Sequence, residues 1–150
     1  KELEILTRDY GSKIDLLNLQ WIYRAKKYYE MKPVDIYALL VPIHYKLSTE
    51  LVKELVEAPS VEEFDHILRK TSYWRHYDFN ETLTIEQMYR DCLYHLYTVD
   101  LRRNPYSIAT LNTYLFLKEE ELRKLTTAME CVRYHLSPGE TLAYIGGKTL

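Results

Sequence analysis

Near its end the chain carries Gly146-Gly147-Lys148-Thr149, residue types that in a phosphate-binding loop wrap backbone N–H groups and a lysine around the phosphates of a nucleotide. A complete loop of that kind has a further glycine five residues before the Gly-Lys-Thr, leaves a β-strand and opens a helix. Leu142 holds the place of that glycine, and Ser137-Pro138-Gly139-Glu140 reads as the start of a short helix instead of the end of a strand. The glycine pair is therefore read as a helix C-cap, and no nucleotide site is expected there.

Other catalytic arrangements are equally incomplete. The five histidines, His44, His66, His76, His95 and His135, show no His-x-x-x-His or His-Glu-x-x-His spacing, so one helix face does not present a metal pair. Glu62-Glu63 and Glu119-Glu120-Glu121 are acidic runs, but adjacent residues on a helix diverge, and a solvated face with i, i+4 partners accounts for both. No Gly-x-Ser-x-Gly elbow or cysteine-nucleophile signature occurs. An enzyme would have to assemble its site from distant residues, such as His66, His76 and the tyrosines around Tyr73. A deep polar pocket would be its mark.

Composition excludes further classes. The 150 residues carry 20 Lys and Arg against 22 Asp and Glu, a formal charge of -2, with 12 of each sign in the first 75 positions. No basic stripe marks a nucleic-acid surface. Cys92 and Cys131 make no Cys-x-x-Cys pair, which signals neither a disulfide framework nor zinc and fits a reducing, cytoplasmic setting. The longest uncharged apolar stretch, 36–43, is far too short to span a bilayer, and no signal-peptide pattern is present. The sequence opens with Lys1 and runs at once into helical pattern, as an excised piece of a longer protein would. Fifteen tyrosines stand beside only four glycines. Tyrosines lining a helical core with their hydroxyls at its rim are the plain expectation, and tyrosine-rich contact surfaces the alternative.

Scarce glycine and proline with apolar residues at helical spacing predict an all-α fold of long packed helices. Helices are expected near 13–29, 33–40, 48–58, 60–70, 81–103, 105–136 and 138–145, with a longer loop or junction over 71–80. Ser60-Val61-Glu62-Glu63, Thr84-Ile85-Glu86-Gln87 and Ser137-Pro138-Gly139-Glu140 each fit a capping box. In the longest helix, which Pro105 would open, Leu111, Leu115, Lys118, Leu122, Leu125, Met129, Val132 and Leu136 alternate steps of four and three and draw one stripe down one face. A faint repeat joins Ile14-Asp15-Leu16-Leu17-Asn18 to Ile108-Ala109-Thr110-Leu111-Asn112, and Tyr45-Lys46-Leu47-Ser48 to Tyr134-His135-Leu136-Ser137. Two related helical units, about 11–75 and 81–150, would pack their apolar faces on each other within one domain.

Two polar residues interrupt apolar helices: Asn18, amid Leu16, Leu17, Leu19, Trp21 and Ile22, and Lys118, within the stripe. A buried amide must find partners and a buried ammonium an acid. Asn18 bonding a neighbouring helix and Lys118 reaching its head to water is one reading; a surface reserved for another chain is the other.

These residues also carry a resemblance. The run Ile14-Asp15-Leu16-Leu17-Asn18-Leu19-Gln20-Trp21-Ile22-Tyr23-Arg24-Ala25-Lys26-Lys27-Tyr28-Tyr29 resembles a helix of the C-type subunit of bacterial and archaeal V-type (A-type) ATP synthases, kin to the d-type subunit of the vacuolar pump. Leu40-Val41-Pro42-Ile43-His44-Tyr45-Lys46-Leu47-Ser48 and Leu55-Val56-Glu57-Ala58-Pro59-Ser60 look like its next segments. Tyr106-Ser107-Ile108-Ala109 and Tyr114-Leu115-Phe116-Leu117-Lys118-Glu119-Glu120-Glu121-Leu122-Arg123-Lys124-Leu125 are similar to its closing helices. The likeness covers about 11–137.

It implies a non-catalytic funnel of related helical units, without cofactor, metal or catalytic residues, that sits peripherally at the cytoplasmic end of the membrane rotor ring. Its partners would be that ring and the central-shaft subunits, for proton or sodium transport. Candidate interface or socket-stabilising residues in the matching stretches are Asp15, Asn18, Arg24, Lys26, Lys27, Lys118, Glu119, Glu121 and Arg123, each of which would otherwise join helices within the subunit. A generic helical scaffold for another partner is the alternative.

Overall fold

Helical periodicity becomes helix throughout. The computed structural model describes residues 1–75 and 84–146, and among these the regular elements are α1 (Glu2–Tyr29), α2 (Pro33–Leu39), α3 (Thr49–Glu57), α4 (Val61–Leu68), α5 (Ser72–Arg75), α6 (Ile85–Arg103), α7 (Ile108–Arg133) and α8 (Pro138–Ile145). The all-α expectation holds.

Local chemistry sets most boundaries. α1 stops where Glu30 turns left-handed (φ 46°) and the Met31 N–H returns to the Ala25 carbonyl, and Pro33 then opens α2. Full capping boxes start α6 at Thr84 and α8 at Ser137, their Gln87 and Glu140 side chains reaching back to the cap. Ser60 accepts from the Glu63 N–H, so the box expected there is present only as its serine half. Ser48 and Ser107 cap α3 and α7 through single hydroxyl bonds. Gly146 closes α8 at φ 72°, in agreement with the C-cap reading; the remaining residues of the apparent phosphate loop, Gly147 to Thr149, lie outside the described residues.

Several boundaries differ from expectation, for identifiable reasons. α1 begins eleven residues before position 13, running straight through Gly11. α7 starts at Ile108 because the Ser107 hydroxyl caps the Ala109 N–H, leaving Pro105 in the preceding turn, and it ends at Arg133 because His135 is left-handed (φ 55°) and the Leu136 N–H closes on the Cys131 carbonyl. Within 71–80, Ser72–Arg75 form a helical turn, and 76–80, with His76 and Tyr77, fall outside the described residues, as do the first positions of the helix expected over 81–103.

α1 is the hub, packing against α2, α4, α6 and α7. Contacts of Arg8 with Asp100 and of Asp9 with Asn112 show that α6 runs antiparallel to α1 and α7 parallel to it, because Tyr23 lies beside Ile85 and Lys13 beside Glu119. One apolar core joins Leu19 and Ile22 of α1, Leu55 of α3, Phe64 of α4, and Met88 and Leu93 of α6, each 1% exposed or less. Tyrosines mostly do not line it: of the fourteen in the described residues only Tyr73 and Tyr97 are buried, whereas ten, from Tyr10 to Tyr144, are exposed. Branched aliphatics fill the narrow space between helices, and the phenols stay in water.

The apolar stripe of α7 departs most from a core. Leu111, Leu115, Leu122, Leu125, Met129 and Val132 are between 48% and 69% exposed. α7 turns its other face inward, where Ala109, Asn112, Thr113 and Phe116 are buried against α1 and α6. The small, hydrogen-bonding residues let the backbones approach: Thr113 Oγ1 donates to the Tyr97 carbonyl at 2.9 Å, and the Tyr97 and Phe116 rings stack tilted at 5.0 Å. Past Phe116 only Cys131 is buried, and α8, with no buried residue, folds back on this outer half.

Gly11 sits where α1 meets the segment before α3. A Cβ there would lie 2.7 Å from Tyr45 Cγ and 2.8 Å from Tyr45 Cβ, atoms close to a backbone that cannot swing away. Alanine improves helix propensity by about 1 kcal/mol, but such overlap costs about 1–3 kcal/mol. Gly11→Ala is therefore expected to lower stability by about 1 kcal/mol in urea denaturation; a variant as stable as its parent would show that the Tyr45 segment yields.

Candidate functional site

Three of the candidate residues of α1, Asp15, Asn18 and Lys26, fall on its inner face, where they hold other elements in place. Asp15 is fully buried. Its Oδ1 accepts the Tyr45 N–H at 3.0 Å, and its Oδ2 accepts the Lys46 N–H at 2.6 Å, the Leu47 N–H at 3.2 Å and the Tyr73 hydroxyl at 2.8 Å. A charged acceptor that satisfies three backbone donors of an irregular segment does for that segment what a ladder does for a strand. Burial, then the Asp15 charge, push the Tyr73 phenol far above its ordinary range, so it stays a donor.

One turn further, Asn18 forms a reciprocal pair with Val41: its Nδ2 donates to the Val41 carbonyl at 2.9 Å, and its Oδ1 accepts the Val41 N–H at 3.0 Å. Two turns on, Lys26 Nζ donates to the Val56 and Ala58 carbonyls at 2.6 and 2.7 Å, capping the end of α3, and burial lowers its pKa. Asp15, Asn18 and Lys26 thus tie residues 41–58 to α1. Charge reversal at Lys26 would set a carboxylate against two carbonyls, so it tests folding before it tests any partner.

The other candidates face outward. Lys27 bonds the Tyr23 hydroxyl at 2.7 Å, a contact that raises its pKa, and lies over the Tyr23 and Tyr28 rings. Arg24 is exposed and lines an open groove of about 400 Å3 with Trp21, Tyr29, Met31 and Leu39. On α7, Lys118 pairs with Glu121 at 2.7 Å, Glu119 lies 3.7 Å from Lys13, and Arg123 pairs with Glu120 at 3.0 Å. Lys118 is therefore no buried ammonium: its neighbours in the stripe, Leu115 and Leu122, are exposed, and it finds its acid one turn along. Arg123 and Glu121 border a larger groove, about 600 Å3, between α6, α7 and α8, floored by Phe116 and flanked by Arg90 and Lys124.

A second buried polar group escaped the sequence reading. Arg8, Asp9, Asp100 and Asn112 join α1, α6 and α7, with Arg8 Nε and Nη2 on Asp100 Oδ2 at 2.7 and 2.6 Å and Asn112 Nδ2 on Asp9 Oδ2 at 2.7 Å. A signal was available: Asp9, Ser12, Asp15 and Asn18 recur every three residues, marking a polar seam on one helix face.

Taken chemically, the arrangement supports fixing and docking. Among the described residues no cluster of three or more His, Cys, Asp or Glu is placed to hold a metal. Tyr73 is committed to Asp15, His66 is exposed at the end of α4, and the Cys92 thiol, buried, is pushed up to about 12. The space beside Tyr73 is only about 30 Å3, too small for a substrate. The groove at α6, α7 and α8, by contrast, is open.

Asp15→Asn keeps the shape but removes the charge and turns an amide donor toward donors. It should lower stability by about 3 kcal/mol in chemical denaturation, and Tyr73→Phe by about 1, with less than additive loss in the double variant. Additive losses would show that the carboxylate and the phenol act independently.

Among the described residues no helix is long and apolar enough to cross a membrane. Neither the curated proteins nor the solved structures gave a match. The family described as ATP synthase (C/AC39) subunit matches residues 1–144, which include every buried contact described above. By that match across nearly its whole length, the chain belongs to the ATP synthase (C/AC39) subunit family of V-type ATP synthases.

Proposed function

We propose that this chain is a non-catalytic central-rotor subunit, part of a socket that couples the central shaft of a V-type ATP synthase to its membrane rotor ring for proton or sodium transport. The observation that carries the reading is the outward seam of α7. In a member of this family, six apolar residues at heptad spacing lie in solvent on a helix about 40 Å long. Contiguous exposed apolar surface of that kind is the mark of a protein contact.

The surrounding chemistry suits a mechanical part. Torque transmission needs rigid elements and contact surfaces, and here long helices are pinned by buried charge-assisted bonds while exposed tyrosines and arginine line the outer grooves. Arg24, Lys27, Lys118, Glu119, Glu121 and Arg123 are the proposed contact residues, and Asp15, Asn18 and Lys26 the socket-stabilising ones. This protein would sit peripherally on the cytoplasmic side as part of the complex.

The two-unit organisation, about 11–75 and 81–150, belongs to the same proposal. It is supported by Ser48 and Ser137, which both cap the next helix, and by Asn18 and Asn112, which both spend their amides on buried bonds.

Leu122→Asp with Leu125→Asp tests the reading, since both side chains are more than half exposed. The double variant should melt within about 2 °C of its parent, yet bind the shaft subunits and detergent-solubilised ring at least tenfold more weakly by native mass spectrometry and co-elution. Equal binding would remove the α7 seam from the contact. If the parent bound neither partner, the coupling role would fall and a helical scaffold for another protein would replace it.

A further inference from the structure

Asp9 and Asp100 are 0% and 2% exposed, and they face each other across the junction of α1, α6 and α7. Among the described residues they have between them one cation and one amide. Both guanidinium bonds of Arg8 go to Asp100 Oδ2, and the Asn112 amide goes to Asp9 Oδ2. Asp9 Oδ1 is buried with no donor among the described residues. A carboxylate left that way beside a second carboxylate is destabilised twice, by lost hydration and by like charge. A proton on Asp9 removes both faults, because the acid then donates to Asp100.

We propose that Asp9 and Asp100 form a proton-operated latch: with one proton shared between them, α6 and α7 are held to α1, and its loss loosens α7. The charged and titratable groups around Asp9 do not replace that proton. On α1, Arg8 is committed to Asp100, and the Lys13 ammonium lies 3.7 Å from Glu119 of α7. Glu2 accepts the Ile108 N–H at the start of α7, and Tyr10 is exposed. From α6 come Asp100 and the Tyr97 phenol, held neutral by burial and by the Asp9 charge. From α7 come Asn112, which is neutral, and the acidic Glu119.

The carboxyl of Asp9 is accordingly raised to about 6, by burial first, against the Asn112 bond, and further by Asp100, with Arg8 pulling the other way. In the unfolded chain an aspartate titrates near 3.9. The folded value is the higher one, so the stabilisation is complete below about pH 4 and is lost as pH rises through about 6. Across that window the unfolding equilibrium constant should grow by roughly a hundredfold from this group.

Asp9→Asn holds the neutral form permanently, its amide donating to Asp100. Denaturant unfolding of wild type and variant, from about pH 4 to about pH 7.5, is read as their difference, which cancels the other acids. The expected result is that wild type loses roughly a hundredfold relative to the variant, and that amides at the start of α7 exchange faster in wild type at the upper pH only. Parallel pH profiles would overturn the proposal. If the variant does not fold, carboxyl 13C titration of wild-type Asp9 decides: a midpoint near 6 supports the latch and one near 4 rejects it.

Discussion

One buried carboxylate organises the first half of the chain. Residues 40–47 lie between α2 and α3 without regular structure, so their backbone donors need acceptors from elsewhere. Asp15 accepts three of them and the Tyr73 hydroxyl, and Asn18 pairs with Val41. Because Asp15 is on the rigid central helix, fixing that segment also fixes where α3 starts, at the Ser48 cap directly after it. Lys26 then holds the far end of α3 by its last carbonyls. Gly11 follows from the same geometry, since a segment pinned this close leaves no room for a Cβ. The glycine that weakens α1 locally is what permits this contact with the Tyr45 segment.

The second half is built on different terms. α7 meets α1 and α6 through Ala109, Asn112 and Thr113, small or hydrogen-bonding side chains, with only Phe116 contributing large apolar area. Close approach and polar satisfaction set that interface, and the leucines of α7 face outward. A helix with a polar inner face and an apolar outer one inverts the usual pattern of a globular surface helix. The inner face is held to α1 and α6 by the hydrogen bonds of Asn112 and Thr113, and an exposed apolar outer face is the kind of surface an assembly would use. Membership of an ATP synthase subunit family supplies an assembly, and the many exposed tyrosines agree with a molecule that makes contacts on several sides.

Two buried polar clusters lie on α1, one around Asp15 within the first half and one around Asp9 where the two halves meet. Buried ionic groups are poor sources of net stability compared with well-packed apolar residues, but they fix geometry, because few arrangements satisfy them all. The coupling role proposed above would draw on that kind of definition. The clusters differ in completeness: each Asp15 oxygen has a donor, whereas Asp9 Oδ1 has none among the described residues. That difference makes the first a fixed joint and leaves the second sensitive to a proton.

Much of this was legible in the amino-acid sequence. Apolar periodicity and scarce glycine determined the all-α class. Hydroxyl and acid spacing placed the starts of α4, α6 and α8, because caps act over three or four residues and need no distant partner. Even the polar seam of α1 is visible as a repeat of three. What periodicity could not decide is which face of a helix turns inward. The stripe on α7 satisfies every local rule for a core, yet the face with Asn112 and Thr113 is buried, because their partners are on α1 and α6. The donors to Asp15 come from positions 30 to 58 residues away, and the groups crowding Asp9 from about ninety or more. Burial and pairing are properties of the packed chain. Neighbouring residues were enough to set the helices and their ends, whereas contacts between distant helices selected which polar residues became joints and which apolar ones were left as surface.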